Sequence, residues 1–194
     1  MNWARADNRD PAPAFANALA NANADADARA DADRRLSLAW SALAAVEDPE
    51  IPALGIVDLG LIRFVTLEAD GTLEVGLSPT YVGCPATEVI RRSVEHALSN
   101  AEVGAFVVTQ VLSPAWTSDW ITADGRRKLE GYGIVPPERP AASMRDILRK
   151  ARPVGCPRCG STDTECVSEF GSTPCKALHR CRACLEPFEY FKCI

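Results

Sequence analysis

The sequence predicts an α+β chain in two parts: helices on a short mixed sheet, then a small four-cysteine ribbon. Two observations carry this. Hydrophobic periodicity between residues 36 and 130 gives the order helix, two strands, helix, strand, helix, which describes a layer of about 100 residues. Near the end stand two Cys-x-x-Cys pairs, Cys156/Cys159 and Cys181/Cys184, with 21 residues between them. Each pair offers two thiolates from a tight turn, and two such knuckles complete a tetrahedral metal site.

Residues 1–34 alternate Ala with Asp and Asn and hold almost nothing large to bury, so a disordered low-complexity extension is expected. The first domain is expected over residues 35–133. Leu36, Trp40, Leu43 and Val46 recur at helical spacing, which predicts an amphipathic helix over 36–47 ended by Asp48-Pro49. A loop rich in Pro and Gly follows to Gly60. Leu61 to Leu67 reads as a strand, Asp70-Gly71 as a hairpin turn, and Leu73, Val75 and Leu77 as the inward face of the partner strand.

Pro85 suits a first helical position, and Ile90, Val94, Ala97 and Leu98 share one face of the helix after it. That puts Cys84 at a helix N-terminus, where free amides and the helix dipole favour thiolate. Val103 to Leu112 is a third strand, Ser113 to Trp120 a loop, and 122–130 a short helix. Residues 134–154 form a linker, with a short helix capped by Ser143. The ribbon domain takes residues 155–194.

Composition bounds the partners. The chain has 194 residues, is 47% hydrophobic and carries a net charge of −5. No apolar run approaches the roughly 18 residues of a membrane span, and the N-terminus does not read as a secretory signal. No membrane partner, a cytoplasmic location and reduced cysteines are the expectation. Residues 155–194 hold five Lys/Arg and five Asp/Glu. That balance lacks the basic face that meets phosphates, so no nucleic acid is expected. The sequence also holds no catalytic triad, phosphate loop or dinucleotide fingerprint, so the chain reads as without catalysis of its own.

Asp48-Pro49-Glu50, Asp58-Leu59-Gly60-Leu61-Ile62 and the turn Thr80…Gly83-Cys84-Pro85 resemble the SufT-like iron–sulfur assembly domain. The tail motifs are similar to those of one branch of that family. They are Cys156-x-x-Cys159, Glu169-Phe-Gly-Ser-Thr-x-Cys175-Lys-Ala, Cys181-x-x-Cys184-x-Glu186-Pro187-Phe188 and Phe191-Lys-Cys193-Ile194. That branch comprises the accessory D components of bacterial phenylacetyl-CoA epoxidase (ring 1,2-monooxygenase) systems, and the resemblance covers about residues 36–194. It implies a role in iron–sulfur or iron maturation of the oxygenase or its reductase in aerobic phenylacetate degradation. Partners would be those subunits or iron–sulfur carriers, with a homodimer as a further arrangement. The alternative is a structural docking subunit.

The candidate sites follow. Cys156, Cys159, Cys181 and Cys184 are the metal ligands, for structural zinc or an iron–sulfur cluster in its place. Cys84, with Cys175 and Cys193, makes a second site for iron or a transient cluster. Thr80, Asp48, Glu50 and Asp58 support Cys84. Competing readings stand beside these: Cys84 as a small buried hydrophobe, Asp48 and Glu50 as loop caps, and Cys175 and Cys193 as packed thiols. Cys166 is assigned to packing, His96 and His179 to the surface, and Trp116 and Trp120 to the Cys84 edge or a docking patch.

Overall fold

The computed structural model describes residues 12–81, 83–137 and 154–192, with side chains described from residue 26. α1 (Ala12–Ala44) leads into a loop, then β1 (Ile62–Leu67), β2 (Leu73–Leu77), α2 (Thr87–Asn100) and β3 (Phe106–Gln110). A 3₁₀ turn at Ser118–Trp120 precedes α3 (Ala123–Gly131) and β4 (Ile134–Val135). The ribbon strands are β5 (Thr164–Ser168), β6 (Lys176–Cys181) and β7 (Pro187–Phe191).

α1 departs from expectation at both ends. Residues 12–34, expected as a disordered extension, continue the helix. Alanine is the best helix former, and summed over a long window its propensity outweighs the lack of large anchors. Arg34 and Asp31 add an i,i+3 ion pair at 2.7 Å. The helix stops at Ala44, short of the expected end at residue 47, and Val46 is already in the loop, where its carbonyl accepts the Ile56 amide. The buried stripe is Ala39 and Leu43, flanked by Leu36; Trp40, expected on that stripe, is 39% exposed. The small Ala39 lets the helix approach the sheet closely, and the larger Trp40 is turned out to the rim. Arg35 fastens the helix in place, donating to the carbonyls of Val103 (2.7 Å) and Gly71 (2.9 Å).

β1 runs antiparallel to β2, and β2 parallel to β3, a short mixed sheet in the order β1-β2-β3. Gly71 takes φ +81° in the hairpin, and Asp70 Oδ1 accepts the Thr72 amide there. α2 buries Ile90, Val94 and Leu98. Gly60, at φ +69°, lies so close to Trp120 that a Cβ would sit 2.6 Å from the Trp120 carbonyl oxygen. Only glycine fits there without a shift of backbone.

The ribbon sheet has the order β4-β7-β6-β5. Its first strand comes from residues expected in the linker: Ile134 and Val135 pair parallel with Glu189 and Tyr190 of β7. The helix expected under Ser143 lies outside the described residues. Ile134, Cys175 and Phe191 join the core of the first domain, while Cys156, Cys181 and Phe188 form a separate ribbon cluster. β6 and β7 therefore each have one end in the ribbon and the other in the main core. Phe191 is 1% exposed and packs on Trp116 at 6.2 Å between ring centroids. Trp116 in turn donates its indole N–H to the Leu59 carbonyl at 3.0 Å.

Phe191→Ala is expected to cost about 3–5 kcal/mol, as for other buried aromatic truncations. Urea denaturation followed by tryptophan fluorescence checks this, because Trp116 reports on the seam itself.

Candidate metal centre

The four ribbon cysteines converge. Their sulfurs all lie within 4.8 Å of one another. Cys156 Sγ is 3.7 Å from Cys184 Sγ, and Cys159 Sγ is 3.6 Å from Cys181 Sγ. A disulfide needs about 2.05 Å. A tetrahedral ion with metal–sulfur bonds of about 2.3 Å sets sulfur–sulfur edges of about 3.8 Å. The spacing thus fits one metal ion and not two disulfides. The first knuckle turns at Gly160, whose φ of +72° lets its amide reach the Cys156 carbonyl at 2.9 Å. In the second, the Cys184 amide points at Cys181 Sγ, 3.5 Å away, and is the main influence drawing that thiol down to about 7. A thiol so placed gives up its proton readily to a metal. The donor set suits zinc or an iron–sulfur cluster.

His179 takes no part in this set. Its ring stacks on Phe188 at 5.6 Å and meets the edge of Tyr190 at 5.7 Å, and burial lowers its pKa. Instead of a surface residue it is part of the ribbon's aromatic layer. Cys166, expected in packing, is exposed on β5, with its sulfur 3.7 Å from Glu169 Oε1. His96 is exposed on α2, in keeping with its surface assignment.

A second group of candidate residues meets at the seam. Cys84, Cys175, Thr80, Asp48 and Glu50 all line one cleft, floored by Leu59, Leu61, Leu77, Ile90 and Phe191. Cys84 comes from the first domain and Cys175 from the ribbon, just ahead of β6. Cys84 is not at the helix N-cap. Pro85 and Ala86 form a turn closed by the Thr87 amide on the Cys84 carbonyl at 3.2 Å, and α2 begins at Thr87. Cys175 is buried, which raises its thiol pKa, and its sulfur lies 3.0 Å from Thr173 Oγ1. Cys193 lies outside the described residues.

Asp48 caps the loop: its Oδ1 accepts the amides of Glu50 (2.8 Å) and Ile51 (2.9 Å). Burial nevertheless raises its pKa, and Glu50 is raised by burial and by Asp48. Asp58 is placed elsewhere. It accepts from Thr122 Oγ1 at 3.1 Å and pairs with Lys128 at 2.5 Å, so it anchors the start of α3. Trp120 lies under the Arg63 guanidinium, 3.2 Å from the ring centroid.

Sequence reasoning missed three groups here. Lys176 is 3% exposed, beside Cys175, and pairs with Glu189 at 3.0 Å. The Ser78 and Tyr81 hydroxyls are enclosed without a hydrogen bond of good geometry. Burial, and then the adjacent Cys84 thiol, push the Tyr81 phenol up to about 12. A lysine at a strand's inward position is the one visible signal; the hydroxyls leave none.

Comparison with known proteins places both halves. Residues 39–112 match the family model for an iron–sulfur cluster assembly protein, and residues 140–192 match the PaaD zinc beta ribbon domain. An Escherichia coli (strain K12) protein, named for 1,2-phenylacetyl-CoA epoxidase as its D component, is 47% identical over 155 residues. The match covers 80% of this chain and 91% of that one. This chain belongs to the PaaD family. Two relatives of its first domain are Fe–S protein maturation auxiliary factors. YitW of Bacillus subtilis (strain 168) is 38% identical, over 40% of this chain and 76% of its own. SufT of Staphylococcus aureus (strain USA300) is 35% identical, over 40% and 88%. Among the described residues, no helix of this PaaD-family chain is long and apolar enough to cross a membrane.

Cys159→Ser is expected to strip the ribbon of its metal and unfold it, because a three-thiolate remnant loses most of the binding energy that folds such modules. Metal analysis and circular dichroism of the purified variant check this.

Asp48 gives a pH signature. Its folded pKa is raised above the ordinary 3.8. Protonation therefore favours the fold, and that contribution is lost as pH rises from 3.8 through the raised value. Asp48→Asn keeps the accepting oxygen and removes the buried charge, so it should remove this loss of stability as pH rises above 3.8. Asp48→Ala orphans the Glu50 and Ile51 amides and should cost about 1–2 kcal/mol at neutral pH. Urea titrations across pH check both.

Proposed function

We propose that the chain is an accessory subunit of the phenylacetyl-CoA 1,2-epoxidase system of aerobic phenylacetate degradation. It serves iron–sulfur or iron maturation of the oxygenase or its reductase and does not turn over substrate. The observation that carries this reading is the cleft at the seam. A domain akin to Fe–S maturation factors presents Cys84 there, next to the tail that marks the epoxidase branch. Thiolates with open positions around them bind soft metal and release it by ligand exchange, with no change of oxidation state required. The ribbon's four thiolates then hold zinc as a structural ion, since a fully ligated site has no position left for cargo. The partners are the oxygenase and reductase subunits, or the carriers that supply them.

One feature favours a docking role instead. The ribbon exposes Val167, Phe170 and Leu185, each more than half accessible. The two readings part at Cys84. In cells that lack this chain, oxygenase and reductase purified anaerobically should contain less iron than from the parent strain. The intact chain should restore it, and Cys84→Ser should not. Fully metallated partners in its absence would overturn the maturation role. Restoration by Cys84→Ser would favour docking.

A further inference from the structure

Among the described residues, β1 and β3 lie at the edges of the first sheet, β4 and β5 at those of the ribbon sheet. Unpaired edges invite pairing with another chain, and charges, bulges or brevity guard against it. β1 carries Arg63 and a bulge between Ile62 and Phe64. β5 carries Glu165 and a bulge between Cys166 and Ser168, and β4 is only two residues long. β3 has none of these devices. From Gly104 to Ala115 the chain holds no charged side chain, and Pro114 falls beyond the strand. Val107 is 44% exposed on β3, and Leu112, just past its end, is 52% exposed. The phase of the strand fixes which backbone groups are free. The Ala105 carbonyl accepts the Leu73 amide at 2.9 Å, and the Val111 amide donates to the Leu77 carbonyl at 2.8 Å, so the odd-numbered residues bond β2. The amides and carbonyls of Phe106, Val108 and Gln110 therefore point away from the sheet.

We propose that β3 is a self-association edge, pairing antiparallel with β3 of a second copy of this chain about a two-fold axis at Val108. That register sets Val108 against its own mate and Phe106 against the second copy's Gln110. Each such pair exchanges both its N–H···O bonds, so every outward group of the strand is satisfied. Between them Val107 meets the second copy's Thr109, two β-branched side chains of nearly equal shape. The strand reads alike from both ends, with long side chains at Phe106 and Gln110 and β-branched ones at Val107, Val108 and Thr109. A foreign extended segment would meet the same backbone groups. A second copy also brings matched side-chain lengths, and it brings no charge to the axis, where two chains of net charge −5 must approach. The contact is short, so it belongs among the small, reversible interfaces.

The test takes the full, metal-loaded chain under reducing conditions. Sedimentation velocity measures its mass over a wide range of concentration, and NMR follows amide hydrogen exchange at both ends of that range. The expected result is a reversible dimer in which the Phe106, Val108 and Gln110 amides are protected when concentrated and exchange freely on dilution. Gln110→Pro removes an outward N–H and no bond to β2, so it should weaken the dimer roughly tenfold or more, the worth of the two hydrogen bonds lost across the axis. Val107→Lys sets its cation across from Glu74 within the fold but must desolvate it in the dimer, so it should weaken association too, whereas Val107→Thr should not. Unchanged metal content and circular dichroism show that each variant is folded. A monomer at every concentration would overturn the proposal, as would a dimer whose three edge amides stay unprotected, or one that Gln110→Pro and Val107→Lys leave as tight as the parent. Protection that persists in the monomer would overturn it as well, because another part of the chain would then cover the strand.

Discussion

Four sulfurs within 4.8 Å of one another are the constraint on which the C-terminal half depends. Ionised and bare, they repel; protonated, they gain only weak thiol–thiol contacts at 3.6 and 3.7 Å. A divalent cation resolves both problems. The hydrophobic core around them is small, chiefly Phe188 with Val135 and Val154 alongside, too little to hold three strands unaided. Metal ligation therefore stands in for apolar burial in this part of the chain, as in other small metal-dependent modules.

What the metal fixes is carried away from it by β6 and β7. Phe191 leaves the ribbon to pack on Trp116, and Cys175 leaves it to enter the main core. The seam is thus apolar at its base and charged at its rim. The Lys176–Glu189 pair is the costly element there. Glu189 also accepts the Ser172 amide at 2.7 Å, which ties the loop before Cys175 to β7. Removing either charge strands the other in a buried setting, so the pair specifies the loop's position more than it adds stability.

Much of this is legible in the sequence. The ribbon ligands follow from spacing, because two knuckles leave few other ways to satisfy four thiols. The sheet follows from alternation at Leu73, Val75 and Leu77, all buried as expected. The departures have physical sources. Alanine alternating with aspartate reads as disordered because no side chain offers an anchor, yet helix propensity needs no anchor. Size alone argues for Trp40 facing inward, while close packing prefers Ala39. A following proline suggests a helix cap at Cys84, but a turn intervenes before α2. The joining of Cys84 to Cys175 is a tertiary fact that lies between segments about ninety residues apart, and local pattern carries no trace of it. Nearness in the motif groups Asp58 with Cys84, whereas the fold directs it to Thr122 and Lys128.

β6 bears a ribbon ligand at one end and follows directly on a cleft thiol at the other. The two sulfur groups are therefore not independent in assembly. A chain whose knuckles are still empty has no fixed strand to hold Cys175 in the wall of the cleft. Such an arrangement makes completion of the cleft conditional on folding of the ribbon: the two are one event, not two.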